Sequence, residues 1–200
     1  ISSIENYPLP WDKRDIDTAM NSWVIHEFNK PWIQKDWKLE LNNAGHIPGA
    51  AMLNIQTEDK NILFTGDFDT RNSPLTNGAK PINTDLLFIE GTYGGKEHAN
   101  QEIELKRFID NVIRVTDNGG TVLIPAFANG RTQDMLIRLY QNCPELDVHI
   151  DGMGKTITKL YLENNQFIRD SKTLNDAWNW SKRVSSKSDR KKALEADVIV

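Results

Sequence analysis

The texture of the chain changes at Tyr93-Gly94-Gly95, and the residues beyond that point leave little choice of architecture. From Asn100 to Val115 the apolar residues Ile103, Phe108, Val112 and Val115 lie on one side of a helix, which Asn118-Gly119-Gly120 stops. Thr121 to Phe127 then reads as a strand, Thr132 to Gln141 as a helix, Val148 to Asp151 as a strand and Ile157 to Glu163 as a helix. Val198-Ile199-Val200 reads as the first half of one more strand. Strands that alternate with helices are joined by crossovers, and crossovers build parallel sheets. This half of the chain is therefore expected to be α/β, with a doubly wound parallel sheet.

The first half has a different pattern. Pro8 and Pro10 mark an extended entry, and Asp12 is placed to cap a helix carrying Ile16, Met20, Trp23 and Val24 at helical spacing, with Pro31 closing the region. Trp37 to Leu41, Ala50 to Ile55 and Asn61 to Thr65 read as strands, the last two joined by a turn at Glu58-Asp59-Lys60. Asp85 to Ile89 reads as a buried strand.

Composition narrows the function classes. The 200 residues suffice for one or two domains. No apolar run approaches the roughly 18 residues a membrane helix needs, and Ile1 to Trp11 lacks the apolar core of a signal peptide. Cys143 is the only cysteine, which excludes a disulfide framework and a cysteine-based zinc site. A reducing, cytoplasmic location is expected. The net charge of −4 argues against a wholly basic nucleic-acid binder but leaves room for a local basic groove.

Three short segments carry candidate chemistry. In Asn43-Ala44-Gly45-His46-Ile47-Pro48-Gly49-Ala50 a histidine sits among small residues in a loop; neutral imidazole is a common metal ligand, and a loop histidine is also ordinary surface. In Ile62-Leu63-Phe64-Thr65-Gly66-Asp67-Phe68 an apolar strand delivers Asp67 at its end, where layered folds place catalytic groups and where plain turns also end. In Leu86-Leu87-Phe88-Ile89-Glu90-Gly91-Thr92-Tyr93-Gly94 a second strand ends in Glu90, a carboxylate expected to be part-buried and to need a metal, a histidine or a hydrogen-bond network as partner.

In this order, Gly-His-x-x-Gly-Ala-Ala-Met, Phe-Thr-Gly-Asp-Phe and Glu-Gly-Thr-Tyr-Gly resemble successive motifs of the β-CASP branch of the metallo-β-lactamase superfamily. Gly119 to Asp134 resembles the opening of that branch's inserted domain. Within the branch, the likeness is to the nuclease subunits of cleavage and polyadenylation specificity factor and to archaeal-type homologues in mRNA 3′-end processing. The resemblance implies part of an αββα sandwich over residues 1–94 and a β-CASP domain over residues 95–200. It also implies a two-zinc site in which His46 is a metal ligand, Asp67 is a bridging ligand and catalytic carboxylate, and Glu90 is a catalytic acid that orients, or shares a proton with, a histidine of a later motif. The family's His-x-His-x-Asp-His motif and its later histidine motifs are not in this sequence: the histidines are His26, His46, His98 and His149. His46 and Asp67 are too few to hold a zinc pair, so these 200 residues alone are expected to be inactive.

The implied activity is zinc-dependent RNA cleavage, endonucleolytic, with additional 5′-to-3′ exonuclease action left open. A non-catalytic scaffold subunit and a DNA-repair nuclease of the same branch remain as alternatives. RNA is the expected partner, a homodimer stays an open option, and no membrane is expected. The turn Asn129-Gly130-Arg131 precedes a helix; its backbone N–H groups and the Arg131 guanidinium suit an RNA phosphate, and an interdomain salt bridge is the competing role for Arg131. Lys182 to Lys192 holds six basic residues against Asp189, suited to an RNA channel or to a solvated face. The six tryptophans are expected to pack in cores and interfaces, Trp23 on the apolar face of its helix. His26 and His98 are expected at the surface, and His149 on a strand between Val148 and Ile150.

Overall fold

The computed structural model describes residues 10–200, so the expected extended entry at Pro8 lies outside the described residues. Helix α1, Lys13–Asn21, is followed by five strands, β1 (Trp32–Gln34), β2 (Trp37–Asn43), β3 (Ala51–Gln56), β4 (Asn61–Phe64) and β5 (Leu86–Phe88). They form one sheet in the order β1-β2-β3-β4-β5. The first four are antiparallel neighbours, and β5 joins β4 in parallel, with Phe64 opposite Phe88. The turn between β3 and β4 falls where Glu58-Asp59-Lys60 indicated, closed by the Thr57 N–H to the Lys60 carbonyl at 2.8 Å. Strand β1 was not foreseen: its three residues carry no alternation long enough to read.

Three expectations for this half need correction. Asp12 does cap α1, accepting from the N–H groups of Arg14 and Asp15 while its own N–H donates to Asp15. The helix, however, ends at Asn21, so Trp23 and Val24 lie beyond it, and Trp23 is 70% exposed. Helical spacing runs past the true end because nothing in a hydrophobic pattern marks where the hydrogen-bond ladder stops. Residues 86–89 are not buried: each is between 48% and 57% exposed. Among the described residues β5 is an edge strand whose only ladder partner is β4, so its apolar side chains have neighbours on one side.

The second sheet is parallel throughout, as the alternation requires. Its strands are β6 (Val122–Leu123), β7 (Val148–Ile150), β8 (Lys182–Arg183) and β9 (Val198–Ile199), in the order β6-β9-β7-β8. Helix α2 (Gln101–Thr116) leads into β6, α3 (Arg131–Asn142) joins β6 to β7, α4 (Gly154–Glu163) and α5 (Ser171–Trp180) join β7 to β8, and α6 (Lys187–Ala193) leads to β9. The chain thus returns to insert β9 between β6 and β7, which makes Val198-Ile199 a central strand. β6 is shorter than the expected Thr121–Phe127 because Pro125 has no N–H to continue the ladder. His149 does not alternate between environments: Val148, His149 and Ile150 are all buried, as expected of a parallel sheet whose crossover helices cover both faces.

A single core built on Leu136, Leu139, Ile150, Leu174 and Val198 fills this half. Leu75, from the loop after β4, belongs to the same core, and the Leu75 carbonyl accepts from the Arg169 N–H at 2.9 Å. The loop of residues 65–80 is therefore clamped between the two sheets. No described helix is long and apolar enough to cross a membrane.

Candidate active-site cavity

The carboxylates Asp67 and Glu90 reach the same place because β4 and β5 are parallel neighbours and each ends just before its acid. Buried Thr65 welds the two strand ends: its N–H donates to the Phe88 carbonyl at 3.0 Å, and its hydroxyl oxygen accepts from the Glu90 N–H at 3.3 Å. Phe64 and Phe88 stack at 4.4 Å beneath them. Glu90 is part-buried, as expected, and its partner is a hydrogen-bond network: the carboxylate accepts from the Phe68 N–H at 2.9 Å. The Thr92 hydroxyl, then the Phe68 N–H, hold its carboxyl below the usual glutamate range, with a smaller contribution from His46 nearby. Glu90 is thereby kept ionised.

His46 arrives from the other side, on the loop between β2 and β3. That loop is folded back by the Ala44 N–H to the Ala50 carbonyl (2.9 Å) and docked on the 65–80 loop by the Asp69 N–H to the Ala44 carbonyl (2.9 Å). Gly45 makes the docking close, and its φ of +72° lies in the region glycine favours. His46, Asp67 and Glu90 line one cavity of about 520 Å³, together with Arg71, His98 and Arg131.

Those last residues were partly missed from the sequence. Arg71 grips Asp69 with two hydrogen bonds, Nε to Oδ1 at 2.9 Å and Nη2 to Oδ2 at 2.7 Å. His98 is exposed, as expected, but on the cavity wall, its ring 4.6 Å from that of Tyr93. Sequence spacing gives no hint of either; both depend on how the loops after β4 and β5 fold over the strand ends. Arg71 holds the Asp69 carboxyl below the usual range. A depressed folded-state pKa means the pair stabilises the protein above the ordinary carboxylate pKa of about 3.9 and loses that stabilisation as pH falls through the folded value. Asp69→Asn is therefore expected to lower the melting temperature at pH 7, with the gap to the parent closing below about pH 4 in thermal scans.

The turn Asn129-Gly130-Arg131 reaches the cavity from the second sheet. Buried Gly130, at φ +84°, lies against the His46 loop: a Cβ built on it would stand 2.6 Å from Ile47 Cγ2. Two of the N–H groups expected to serve a phosphate are already used: Gly130 donates to Gln133 Oε1 at 2.9 Å, and Thr132 to the Phe127 carbonyl at 3.1 Å. Asn129 Oδ1 accepts from the Tyr161 hydroxyl, whose pKa burial pushes up to about 12, so it stays a donor across the neutral range. The Arg131 side chain, by contrast, makes no hydrogen bond or ion pair among the described residues. The ion pairs beside it are Arg71–Asp69 and Arg138–Asp134. Among the described residues, the interdomain salt bridge that competed for Arg131 is not formed.

The basic run elsewhere is half engaged: three of its six basic residues have partners among the described residues, and Lys187, Lys191 and Lys192 stand exposed. Lys182 pairs with Asp147, Arg183 lies over the Trp178 ring at 4.8 Å, and Arg190 grips Asp151 with two bonds.

No protein-family model matches the sequence. Individual relatives do. The chain is 35% identical, over 98% of its length, to the Methanocaldococcus jannaschii protein named "Probable RNase MJ4", covering 47% of it. It is 31% identical over 96% of its length to "RNase aCSPSF2" of Saccharolobus solfataricus, covering 40%. Over 64% of its length it is 36% identical to "Cleavage and polyadenylation specificity factor subunit 3" of Dictyostelium discoideum, covering 17%. The chain belongs to the β-CASP branch of the metallo-β-lactamase superfamily. It spans less than half the length of each of these relatives.

Membership raises the question of metal. Among the described residues no group of three His, Cys, Asp or Glu side chains is placed to hold an ion. His46 and Asp67 offer one imidazole and one carboxylate at the shared cavity, donors of a type zinc accepts, but two donors leave a four-coordinate shell half filled. The described residues do not make a complete metal site.

Proposed function

We propose that the whole protein is a zinc-dependent RNA-cleaving phosphodiesterase acting in RNA 3′-end processing or decay, and that this chain supplies one wall of its active site. The observation that carries the reading is the convergence of His46, Asp67, Glu90 and Arg131, from four separate segments, on one cavity. In this reading residues 1–94 are the central part of the metallo-β-lactamase domain and residues 95–200 belong to the β-CASP domain. His46 and Asp67 are two ligands of a zinc pair, Glu90 is the ionised carboxylate that orients a proton-transferring histidine, and Arg131 takes an RNA phosphate. The names of the relatives, an RNase and a cleavage-factor subunit among them, favour RNA over DNA. The intact set His46, Asp67 and Glu90 favours an enzyme over a scaffold.

The test compares two proteins on end-labelled single-stranded RNA with added zinc. The whole protein is expected to cleave it and to stop when a chelator is added, while the 200-residue chain is expected to leave it intact. A whole protein that binds RNA without cutting it would return the scaffold reading. Cleavage by the 200-residue chain would show that the two donors suffice and overturn the division of the site.

A further inference from the structure

Asp134 lies three residues after Arg131 on α3. Its side chain is only 8% exposed. Oδ2 accepts from Arg138 Nε at 3.1 Å, but Oδ1 has no hydrogen-bond partner. A buried carboxylate oxygen without a donor is costly, because it has given up water and gained nothing in exchange. Asp134 lines a chamber of about 60 Å³ between α3 and the His46 loop, where Gly45, His46, Arg71 and Arg138 also contribute to the wall.

Arg131 lines this chamber and the larger cavity alike. Residues three apart on a helix are neighbours on one face, so the guanidinium is within reach of the Asp134 carboxylate by side-chain rotation alone. Of the three guanidinium groups around the chamber, Arg71 is engaged by Asp69 and Arg138 by Asp134 Oδ2. Arg131 alone is unengaged among the described residues. An acceptor lacking a donor and a donor lacking an acceptor thus border the same small space.

We propose that Arg131 is a two-position side chain, able to turn inward onto Asp134 or outward onto an RNA phosphate, so that Asp134 is a positioning residue that tunes RNA affinity. The proposal rests on the reading of Arg131 as a phosphate contact. Its physical consequence is competition: RNA binds only the outward fraction, and apparent affinity falls in proportion to the inward one.

The test is a set of binding and melting measurements on the whole protein, using a fluorescein-labelled single-stranded RNA at low salt. Arg131→Ala is expected to weaken binding about 10-fold. Asp134→Asn, which keeps shape but removes the charge, is expected to tighten it by roughly 3- to 10-fold. Arg138→Gln leaves Asp134 with Arg131 as its remaining partner and is expected to weaken binding. Neither effect should survive in the Arg131→Ala background. Persistence there would assign the changes to Arg138 or to net charge and overturn the proposal; Arg138→Gln keeps it testable should Asp134→Asn fail to fold.

Without RNA, Arg131→Ala should lower the melting temperature of the parent and not of the Asp134→Asn protein. Lost RNA binding in Arg131→Ala with no such thermal coupling would remove the inward position and leave the phosphate contact standing. Thermal coupling with unchanged RNA affinity would do the reverse.

Discussion

Gly45→Ala is expected to cost about 3–5 kcal/mol of stability, which places it among the severe single substitutions. Three effects add. At φ +72° an alanine pays roughly 1–2 kcal/mol for the left-handed conformation. The new methyl would stand 2.3 Å from the Asp69 carbonyl oxygen and 2.6 Å from the Ala79 nitrogen. Those two atoms are hydrogen-bonded to each other at 2.8 Å, so the methyl is driven into an existing bond, at about 1–3 kcal/mol for the groups it separates. The obstruction is backbone on both sides, with no flexible side chain to move aside, and overpacking adds about 1–3 kcal/mol before relaxation recovers part of it. Gly49→Ala is the control. It sits four residues on at φ +85° with nothing within 4 Å of a built Cβ, so it should show only the conformational part, about 1–2 kcal/mol. Urea unfolding followed by circular dichroism measures both. Equal effects would mean that the close docking of the His46 loop on the 65–80 loop does not carry the energy assigned to it.

The contrast between those glycines shows what the sequence could and could not reveal. Strand and helix identities were largely legible, because each is set by local hydrophobic period. The parallel second sheet followed from alternation alone. Strand ends that deliver Asp67 and Glu90 were also legible, as apolar runs that stop at an acid. What was not legible is tertiary. Gly45 and Gly49 look alike in a string, yet only one faces backbone 24 and 34 residues away, at Asp69 and Ala79. The exposure of Leu86 to Ile89 was misread because apolar strand residues report a preference for burial and not whether a neighbouring layer supplies it. The Arg131 turn was half legible. Its arginine stands open to the cavity, but the N–H groups that the motif promised to a ligand had been claimed by Gln133 and by the Phe127 carbonyl.

Gln133→Leu is expected to cost about 3–4 kcal/mol and to damage RNA binding without touching a residue that faces the cavity. Gln133 is fully buried. Its amide nitrogen donates to the Ala128 carbonyl (3.1 Å), the Gly154 carbonyl (3.1 Å) and the Thr158 hydroxyl oxygen (2.9 Å), and its amide oxygen accepts from the Gly130 N–H. Leucine matches the volume and none of the bonds. The Gly154 carbonyl keeps the Thr158 hydroxyl as donor at 2.7 Å. The Gly130 N–H and the Ala128 carbonyl lose the partners that Gln133 gives them, each worth about 1–3 kcal/mol when left bare. Both belong to the turn that presents Arg131, and Gly130 is the residue packed against Ile47 beside His46. Loosening it moves the guanidinium relative to the two carboxylates, and a misplacement of about 1 Å is enough to cost a positioned contact much of its value. Thr158→Val separates the two consequences: it removes the two hydrogen bonds of the Thr158 hydroxyl at the far end of the network, on α4, and leaves both turn partners in place. It is expected to lower stability by about 1 kcal/mol with RNA affinity unchanged. Equal losses of RNA affinity in the two variants would show that α4, and not the Gly130 turn, transmits the effect to Arg131.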